Sequence, residues 1–445
     1  MNTPICDFVR RYAESGTKRF HMPGHKGTGT LGVEHLDITE IAGADSLFEA
    51  DGIIRESERN ASAIFSCPTF YSTEGSSLCI RAMVHMVAVH AKEQGRTPLI
   101  WAARNAHKIF LSALALVGVD VDWLDGDTAD SYLSCTVSAK ALDARLSDVQ
   151  KKPTALYLTS PDYLGRLADV RAIAAVCHRH GVLLCVDNAH GAYLKFLPDS
   201  LHPIDLGADL VCDSAHKTLP VLTGGAYLHV SAHAPQGLAD MAKSALSLFA
   251  STSPSYLILQ SLDAANPLLN GDFARQIQAF LQHVCALRTA LCDAGWEIYG
   301  DEEMKLTLVA KPRGYTGQEV ADALRRAGIE CEFADPDHVV LMLSPAVGCD
   351  GLQALQSALP ALLPREPIQS LPPIRTRATA RMSIRDAMLA PAECIPVERA
   401  LGRILALPSV SCPPAVPIAM PGEELDAHAL SAFRYYGIQY CYVVK

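Results

Sequence analysis

Apolar residues in this chain follow two alternating rhythms. From about residue 70 onward, short apolar runs alternate with longer segments in which apolar positions recur every three or four residues. The runs at 99–103, 119–124, 154–159, 182–186 and 208–212 predict buried strands, and 222–230 predicts a further one. Between them, 78–89, 106–117, 138–149 and 168–180 predict helices. Strands that alternate with helices and are apolar on both faces predict an α/β fold, a mostly parallel sheet covered by helices on both sides.

The flanks read differently. Residues 5–14 predict a short amphipathic helix with Phe8, Val9 and Tyr12 on one side. Residues 37–48 and 51–54 have turn chemistry but no clear period, and so long an irregular stretch must pack against something, such as another subunit. After a long helix at 273–294, the segments 306–310, 318–327, 330–333, 339–343 and 352–362 predict a smaller α+β unit. A proline-rich linker spans 360–373, a helical piece 382–389, and 412–423 is too rich in proline for a helix or an interior strand. The expected division is an N-terminal arm (1–60), a large domain (61–268), a small α+β domain (269–368) and a C-terminal segment (369–445).

Composition narrows the class. Hydrophobic residues make up 49% and charged residues 19%, which is globular, and the formal net charge of -10 argues against nucleic acid or anionic membrane as the main partner. No apolar run reaches the length of a membrane span, and the first residues show no basic region followed by an apolar core. The 14 cysteines form no C-x-x-C pair, and Cys79, Cys177 and Cys185 sit inside apolar runs, as reduced thiols do. A cytoplasmic protein is the expectation.

Parallel sheets bind ligands at the carboxyl ends of their strands. Four such ends carry chemistry here: Arg104-Asn-Ala-His107, Thr159-Ser-Pro-Asp-Tyr163, Asp187-Asn-Ala-His190 and Asp213-Ser-Ala-His-Lys217. Desolvation lowers a lysine's pKa, and a neutral amine attacks a carbonyl. Taken alone, Lys217 reads better as a solvated lysine in a turn; the convergence of four loaded strand ends shifts the balance. Ahead of helix 78–89, Tyr71-Ser-Thr-Glu-Gly-Ser-Ser77 offers backbone N–H groups and hydroxyls to an anion, although a plain serine cap is the commoner use. No G-x-G-x-x-G, Walker or G-x-S-x-G motif follows a predicted strand. His21 and His25 are four apart, but Pro23 and Gly24 between them argue against a helix, so no metal site is expected. Their segment is either a basic surface loop or a contact for an anionic ligand.

Pyridoxal 5'-phosphate needs a lysine for its aldehyde, an acid to keep the pyridine nitrogen protonated, a phosphate cradle and a flat group against the ring. Lys217, Asp187, Gly75 with Ser76 and Ser77, Ser214 and His107 supply that set. The same residues carry a resemblance. Phe20-His-Met-Pro-Gly-His-Lys-Gly27, Asp37-Ile-Thr-Glu40, Arg104-Asn-Ala-His-Lys108, Asp187 with Ala189-His-Gly191, Ser214-Ala-His-Lys-Thr218, Thr252-Ser-Pro-Ser-Tyr256, Pro413-Pro and Pro421-Gly-Glu423 run in the order of the Orn/Lys/Arg decarboxylases. The chain resembles the short members of this family of fold-type-I pyridoxal-phosphate enzymes, those similar to biosynthetic arginine decarboxylases.

The resemblance implies a PLP-dependent carboxy-lyase acting on a basic amino acid, arginine before lysine or ornithine, in polyamine metabolism. It implies Lys217 as the cofactor lysine, Asp187 as the pyridinium partner, His107 on the ring face, and His190 and His216 around the cofactor. Ser76, Ser77 and Ser214 would hold the phosphate, with Thr252 or Ser253 reaching in from a second subunit of a homodimer or larger homo-oligomer. His21, His25 and Lys26 would lie near the substrate entrance, Glu423 would meet a basic side chain, and the C-terminal segment would complete the site. Glu74, Ile109, Asp162, Asn188 and Ala415 depart from the family pattern, Ala415 where a glycine is usual. An aminotransferase, oxidative deaminase or carbon–carbon lyase using the same cofactor is the main alternative, with Arg375, Arg377 or Arg381 for a carboxylate. A non-catalytic homologue serving a regulatory role is a third.

Overall fold

The structure, a computed structural model, describes residues 1–126, 131–373, 378–410 and 414–445. Arg375, Arg377 and Pro413 lie outside the described residues. The chain forms two compact units, each from two stretches: 1–96 with 183–276, and 97–182 with 277–445.

The first stretch holds α1 (Pro4–Glu14), α2 (Ile53–Phe65), β1 (Thr69–Ser72) and α3 (Gly75–Glu93). Then come β2 (Leu99–Ala103), α4 (Lys108–Val117), β3 (Asp120–Leu124), α5 (Ala139–Asp148), β4 (Ala155–Thr159) and α6 (Val170–Arg179). The third stretch holds β5 (Leu183–Asp187), β6 (Leu210–Asp213), the one-turn α7 (Ala215–Thr218), β7 (Ala226–Val230), α8 (Leu238–Ser247) and α9 (Tyr256–Asn270). Next, α10 (Phe273–Asp293) leads to β8 (Glu297–Tyr299), β9 (Lys305–Val309), α11 (Gly317–Arg326), β10 (Phe333–Ala334), β11 (His338–Met342) and α12 (Gly348–Ala358). Last are α13 (Ile384–Leu389), β12 (Ala392–Pro396), α14 (Ala427–Tyr435) and β13 (Tyr440–Val444).

In the first unit the strands run β1-β7-β6-β5. The pair β5–β6 is parallel, while β7 is antiparallel to both β6 and β1. The strands β5, β6 and β7 are buried along their whole length, which is why they read as unbroken apolar runs. Helix α3 packs across them, its core face built from Leu78, Cys79, Ala82, Met83 and Met86.

Sequence periodicity predicts these strands but gives no sign of α2. The buried face of α2 is Ile54, Ser57, Glu58, Ala61 and Phe65, a helical spacing in which two positions are polar, so its hydrophobic period is broken. Those polar side chains are satisfied in place. Glu58 accepts from Lys243 Nζ at 2.5 Å and from the Tyr71 N–H at 2.9 Å, and Ser57 donates to Asp263 at 2.6 Å. The irregular stretch that begins at Asp37 is likewise fastened within this unit, and its last two expected residues, Ile53 and Ile54, open α2 instead. The Asp45 carboxylate accepts the main-chain N–H groups of Asp51, Gly52, Ile54 and Arg55, capping α2, and Tyr256 Oη accepts from the Asp45 N–H.

In the second unit β4-β2-β3 is wholly parallel, and Phe110 of α4 stacks on Tyr157 of β4 at 4.0 Å between ring centroids. A separate antiparallel sheet, β10-β11-β9-β8, carries the expected α+β pattern, with α11 opened by a capping box between Thr316 and Glu319. The C-terminal β12–β13 pair, absent from the sequence expectation, alternates buried Cys441 and Val443 with exposed Tyr440 and Tyr442.

Ala415 is buried at φ +56°, a left-handed conformation that glycine adopts without cost. Its carbonyl accepts the Lys108 N–H at 2.8 Å, so the turn holds the start of α4. The left-handed conformation costs roughly 1–2 kcal/mol, and a glycine's extra unfolded-chain entropy costs about 0.4–1 kcal/mol. Ala415→Gly should therefore stabilise the protein by up to about 1 kcal/mol in denaturant unfolding.

Candidate active site

The site is assembled on the ends of β5 and β6. Their parallel register sets Asp187 beside Cys212. Asp187 is buried at the end of its strand, and the Cys212 thiol lies 3.6 Å from its Oδ1. Burial, and then the Asp187 charge, push that thiol well above its usual range. The chain leaves β6 through Ser214 into the single turn of α7, which places the half-buried Lys217 Nζ 2.7 Å from Nε2 of the buried His190. His216 fixes that turn: its main-chain N–H donates to the Gly225 carbonyl at 3.1 Å, and its Nδ1 lies 3.0 Å from the same oxygen.

The first turn of α3 brings Gly75, Ser76 and Ser77 to the same unit, and Ser214 Oγ donates to Ser76 Oγ at 2.8 Å. Four N–H groups at a helix start lack intrahelical partners, and the helix dipole favours an anion there. Gly75 at φ +68° donates its N–H to Gly224 O at 2.8 Å, and a Cβ on Gly224 would stand 2.9 Å from Thr73 O. This close approach of two backbones requires the glycine. The Glu74 carboxylate is turned outward and accepts the Ser251 N–H at 2.8 Å. It anchors the loop in which Thr252 and Ser253 lie exposed.

A half-buried lysine, a buried carboxylate on the neighbouring strand and a hydroxyl-rich helix start fit pyridoxal phosphate in kind: an amine for the aldehyde, an anion for the ring nitrogen, donors for the phosphate.

Behind the strand ends lies a cluster whose residues no sequence motif joins. Asp213 is wholly buried, and its Oδ2 lies 3.0 Å from Nε2 of both His202 and His229, which are also wholly buried. Its Oδ1 accepts from Asn188 Nδ2 at 2.6 Å. Burial alone would raise the Asp213 carboxyl, but electrostatic attraction to the two imidazoles and their hydrogen bonds outweigh it and hold the group far below the carboxylate range. Burial pulls the His229 imidazole down, and the Asp213 charge more than reverses it, so His229 is raised.

Other expected residues take places of their own. His107 N-caps α4, its side chain accepting the Ile109 N–H at 3.2 Å. In the N-terminal arm, His21 Nε2 meets Tyr12 Oη at 2.6 Å, His25 Nε2 meets Asp37 at 3.1 Å, and Lys26 Nζ donates to the His21 carbonyl at 2.6 Å. Glu423, expected to meet a basic side chain of a substrate, meets the chain's own Arg104. Two parallel N–H···O bonds of 2.6 and 3.0 Å join them, and the Met420 N–H adds a third donor at 2.8 Å. With both oxygens engaged, Glu423 has a structural role in joining the C-terminal loop to Arg104, and the two residues line one cavity. Asp162 is structural too: buried, it accepts from Ser134 at 2.6 Å and from the N–H groups of Leu164 and Arg166. Arg381 pairs with Glu424 at 2.7 Å on the surface.

Two family models cover most of the sequence: Orn/Lys/Arg decarboxylase, major domain, over residues 3–307, and the C-terminal domain of the same family over 368–439. The chain belongs to the Orn/Lys/Arg decarboxylase family. It is 30% identical over 471 residues to the arginine decarboxylase of Halalkalibacterium halodurans, covering 97% of this chain and 93% of that protein. To the arginine decarboxylase of Bacillus subtilis it is 28% identical over 466 residues, covering 96% and 92%. The crystal structure of the Francisella novicida lysine decarboxylase superposes with a TM-score of 0.81 at 16% identity, over 100% of this chain and 81% of that one. The fold is therefore that of the fold-type-I enzymes, and the family assigns a PLP-dependent decarboxylase.

Sequence reasoning missed His202 and His229. The one signal was a lone histidine inside the apolar strand Ala226–Val230, which without its partner reads as any satisfied core histidine.

The Arg104–Glu423 pair is 2% and 4% exposed in its side chains. Breaking a buried pair by removing one partner costs about 3–5 kcal/mol, whereas replacing both with apolar groups is often neutral. Arg104→Met should lose that much in denaturant unfolding, and Arg104→Met/Glu423→Leu should recover most of it.

Proposed function

We propose that the protein removes the α-carboxylate of a basic amino acid, arginine in the first place, to give the corresponding amine. What carries this reading is the placement of Lys217, Asp187 and the Ser76–Ser214 pair in one unit of a chain of this family. Arginine is favoured because several relatives that match nearly the whole chain are named arginine decarboxylases.

When bound, pyridoxal phosphate supplies a protonated ring that takes up the electron pair left as CO2 departs. The rest falls to the chain's own residues. Lys217 Nζ is the amine that would hold the cofactor's aldehyde. Asp187, buried at its strand end, would hold the proton on the ring nitrogen. Ser76, Ser77 and Ser214, with the α3 N–H groups, would hold the phosphate. Lys217 Nζ and His190 Nε2, 2.7 Å apart, form a proton donor–acceptor pair that returns to the α-carbon the proton replacing CO2. His107 against the ring face, His216 beside the cofactor, and His21, His25 and Lys26 at the substrate entrance complete the proposal.

The same reading places the protein in the cytoplasm, in polyamine-forming metabolism. It acts there as a homodimer in which Thr252 or Ser253 of one subunit reaches the partner's phosphate cradle. Among the described residues no helix is long and apolar enough to cross a membrane.

Arginine, lysine and ornithine supplied singly should show CO2 release with a stoichiometric amine, arginine turning over with the highest kcat/KM. Lys217→Ala should lower kcat by at least about 10²–10⁴-fold, the range for a group acting in proton transfer. A keto acid in place of CO2 would move the protein to the aminotransferase class.

A further inference from the structure

The Asp213 cluster sits immediately behind the cofactor-facing residues, and its bonding pattern defines its charge. Asp213 Oδ2 can only accept, so both Nε2 atoms facing it carry hydrogen. His202 Nδ1 accepts the Ile204 N–H at 3.3 Å, which leaves His202 neutral. His229 differs. Its Nδ1 lies 2.9 Å from Thr69 Oγ1, and that hydroxyl gives its own hydrogen to the Cys67 carbonyl at 3.1 Å. Thr69 therefore accepts, and His229 donates from both nitrogens as an imidazolium. Phe65 covers it at 4.4 Å between ring centroids, a favourable seat for a cation. The wholly buried carboxylate is thus neutralised by one wholly buried cation.

Strand geometry connects this pair to the site. Side chains alternate between the faces of a sheet. Asp187 and Cys212 are register partners and share one face, so Asp213 projects to the other, and Ser214 returns to the first and meets Ser76. Asn188, the residue after Asp187, reaches back to Asp213 Oδ1 at 2.6 Å, while its main-chain N–H donates to Cys212 O at 3.0 Å. On the second side, β7 pairs with β6 so that Asp213 faces Tyr227 and Val211 faces His229, which sets His229 diagonally across from Asp213 on one face. His202 arrives from the loop before β6.

From this arrangement we infer that Asp213, clamped by His229, His202 and Asn188, is a positioning residue for the cofactor site: it pins two strand ends from behind, so that Asp187 and Ser214 stand at fixed separation in front. The clamp touches neither cofactor nor substrate. Its effect reaches the reaction through Asp187, which must meet the ring nitrogen, and through Ser214, which must meet the phosphate at the other end of the same rigid molecule. A misplacement of about 1 Å between groups that must act together costs on the order of 10²-fold in rate. This inference rests on the assignment of the cofactor to Lys217 and Asp187.

The test uses the full chain freed of cofactor and titrated with pyridoxal phosphate. Wild type is compared with Asp213→Asn, Asp213→Asn/His229→Gln and His202→Gln, at a temperature where far-UV circular dichroism shows all four folded. Asp213→Asn keeps the shape but turns an amide donor toward donors that need an acceptor. It should weaken pyridoxal phosphate binding by at least about tenfold and lower kcat with KM changed by less than about threefold. The double variant removes both charges and should regain most of the lost affinity. His202→Gln, which leaves the ion pair intact, should show a smaller loss; it remains a test if Asp213→Asn does not fold. Affinity and kcat within about twofold of wild type in folded Asp213→Asn would overturn the inference and leave Asp213 purely structural. Equal losses in the single and double variants would overturn it as well. If wild type itself takes up no pyridoxal phosphate, the functional reading fails instead, and the two failures are told apart by that first titration.

Discussion

The parallel register of β5 and β6 is the constraint on which the site depends. Asp187 lies beside Cys212, and the chain turns outward directly after Asp187 into Asn188-Ala-His190 and, one residue later on the other strand, after Asp213 into Ser214-Ala-His-Lys217. A one-residue slip would reverse every side chain, sending Asp187 to the back of the sheet and Asn188 to the front. Register in an apolar strand is set by burial, but apolar side chains are forgiving partners. A charged residue with three directed hydrogen-bond donors is not. Asp213 specifies the alignment that the valines and leucines around it only favour.

Buried charge recurs through both units, and in each case the partner is close. Glu58 meets Lys243, Asp213 meets His229, Arg104 meets Glu423, and Lys311 meets Asp337. Such pairs contribute little net stability against an apolar replacement but impose a strong penalty on any arrangement that separates them. Each also joins segments far apart in sequence: Arg104 with the C-terminal loop, Glu58 with α8, Lys311 with the β10–β11 turn. They act as registration pins in a core that hydrophobicity alone would fill in several ways.

Much of this was legible in the sequence, for physical reasons. Fully buried strands are unbroken apolar runs, and β2, β4 and β5 fall within a residue or so of their predicted places. Helix α2 was invisible because its inward face carries Ser57 and Glu58, whose partners come from Tyr71, Lys243 and Asp263 far along the chain. The strand expected over 222–230 is shorter, Ala226–Val230, because the Gly224-Gly225 turn is spent on holding the start of α3 and the His216 turn. The residues proposed to face the cofactor stand out in the sequence because they cluster at strand ends. The clamp behind them was not: His202 and His229 become partners of Asp213 only once the strands are paired. Among the departures from the family pattern, Ala415 takes up a conformation that suits a glycine, Glu74 turns away to hold the 251–255 loop, and Asn188 becomes a member of the clamp.

The central claim is that Lys217 is the residue that holds the cofactor. Borohydride reduction of the purified protein loaded with pyridoxal phosphate, followed by digestion and mass spectrometry, tests it most directly. The account predicts one reduced phosphopyridoxyl group per chain, carried on the peptide that contains Lys217. A label confined to another lysine, or no label on a protein shown to have bound the cofactor, would contradict it.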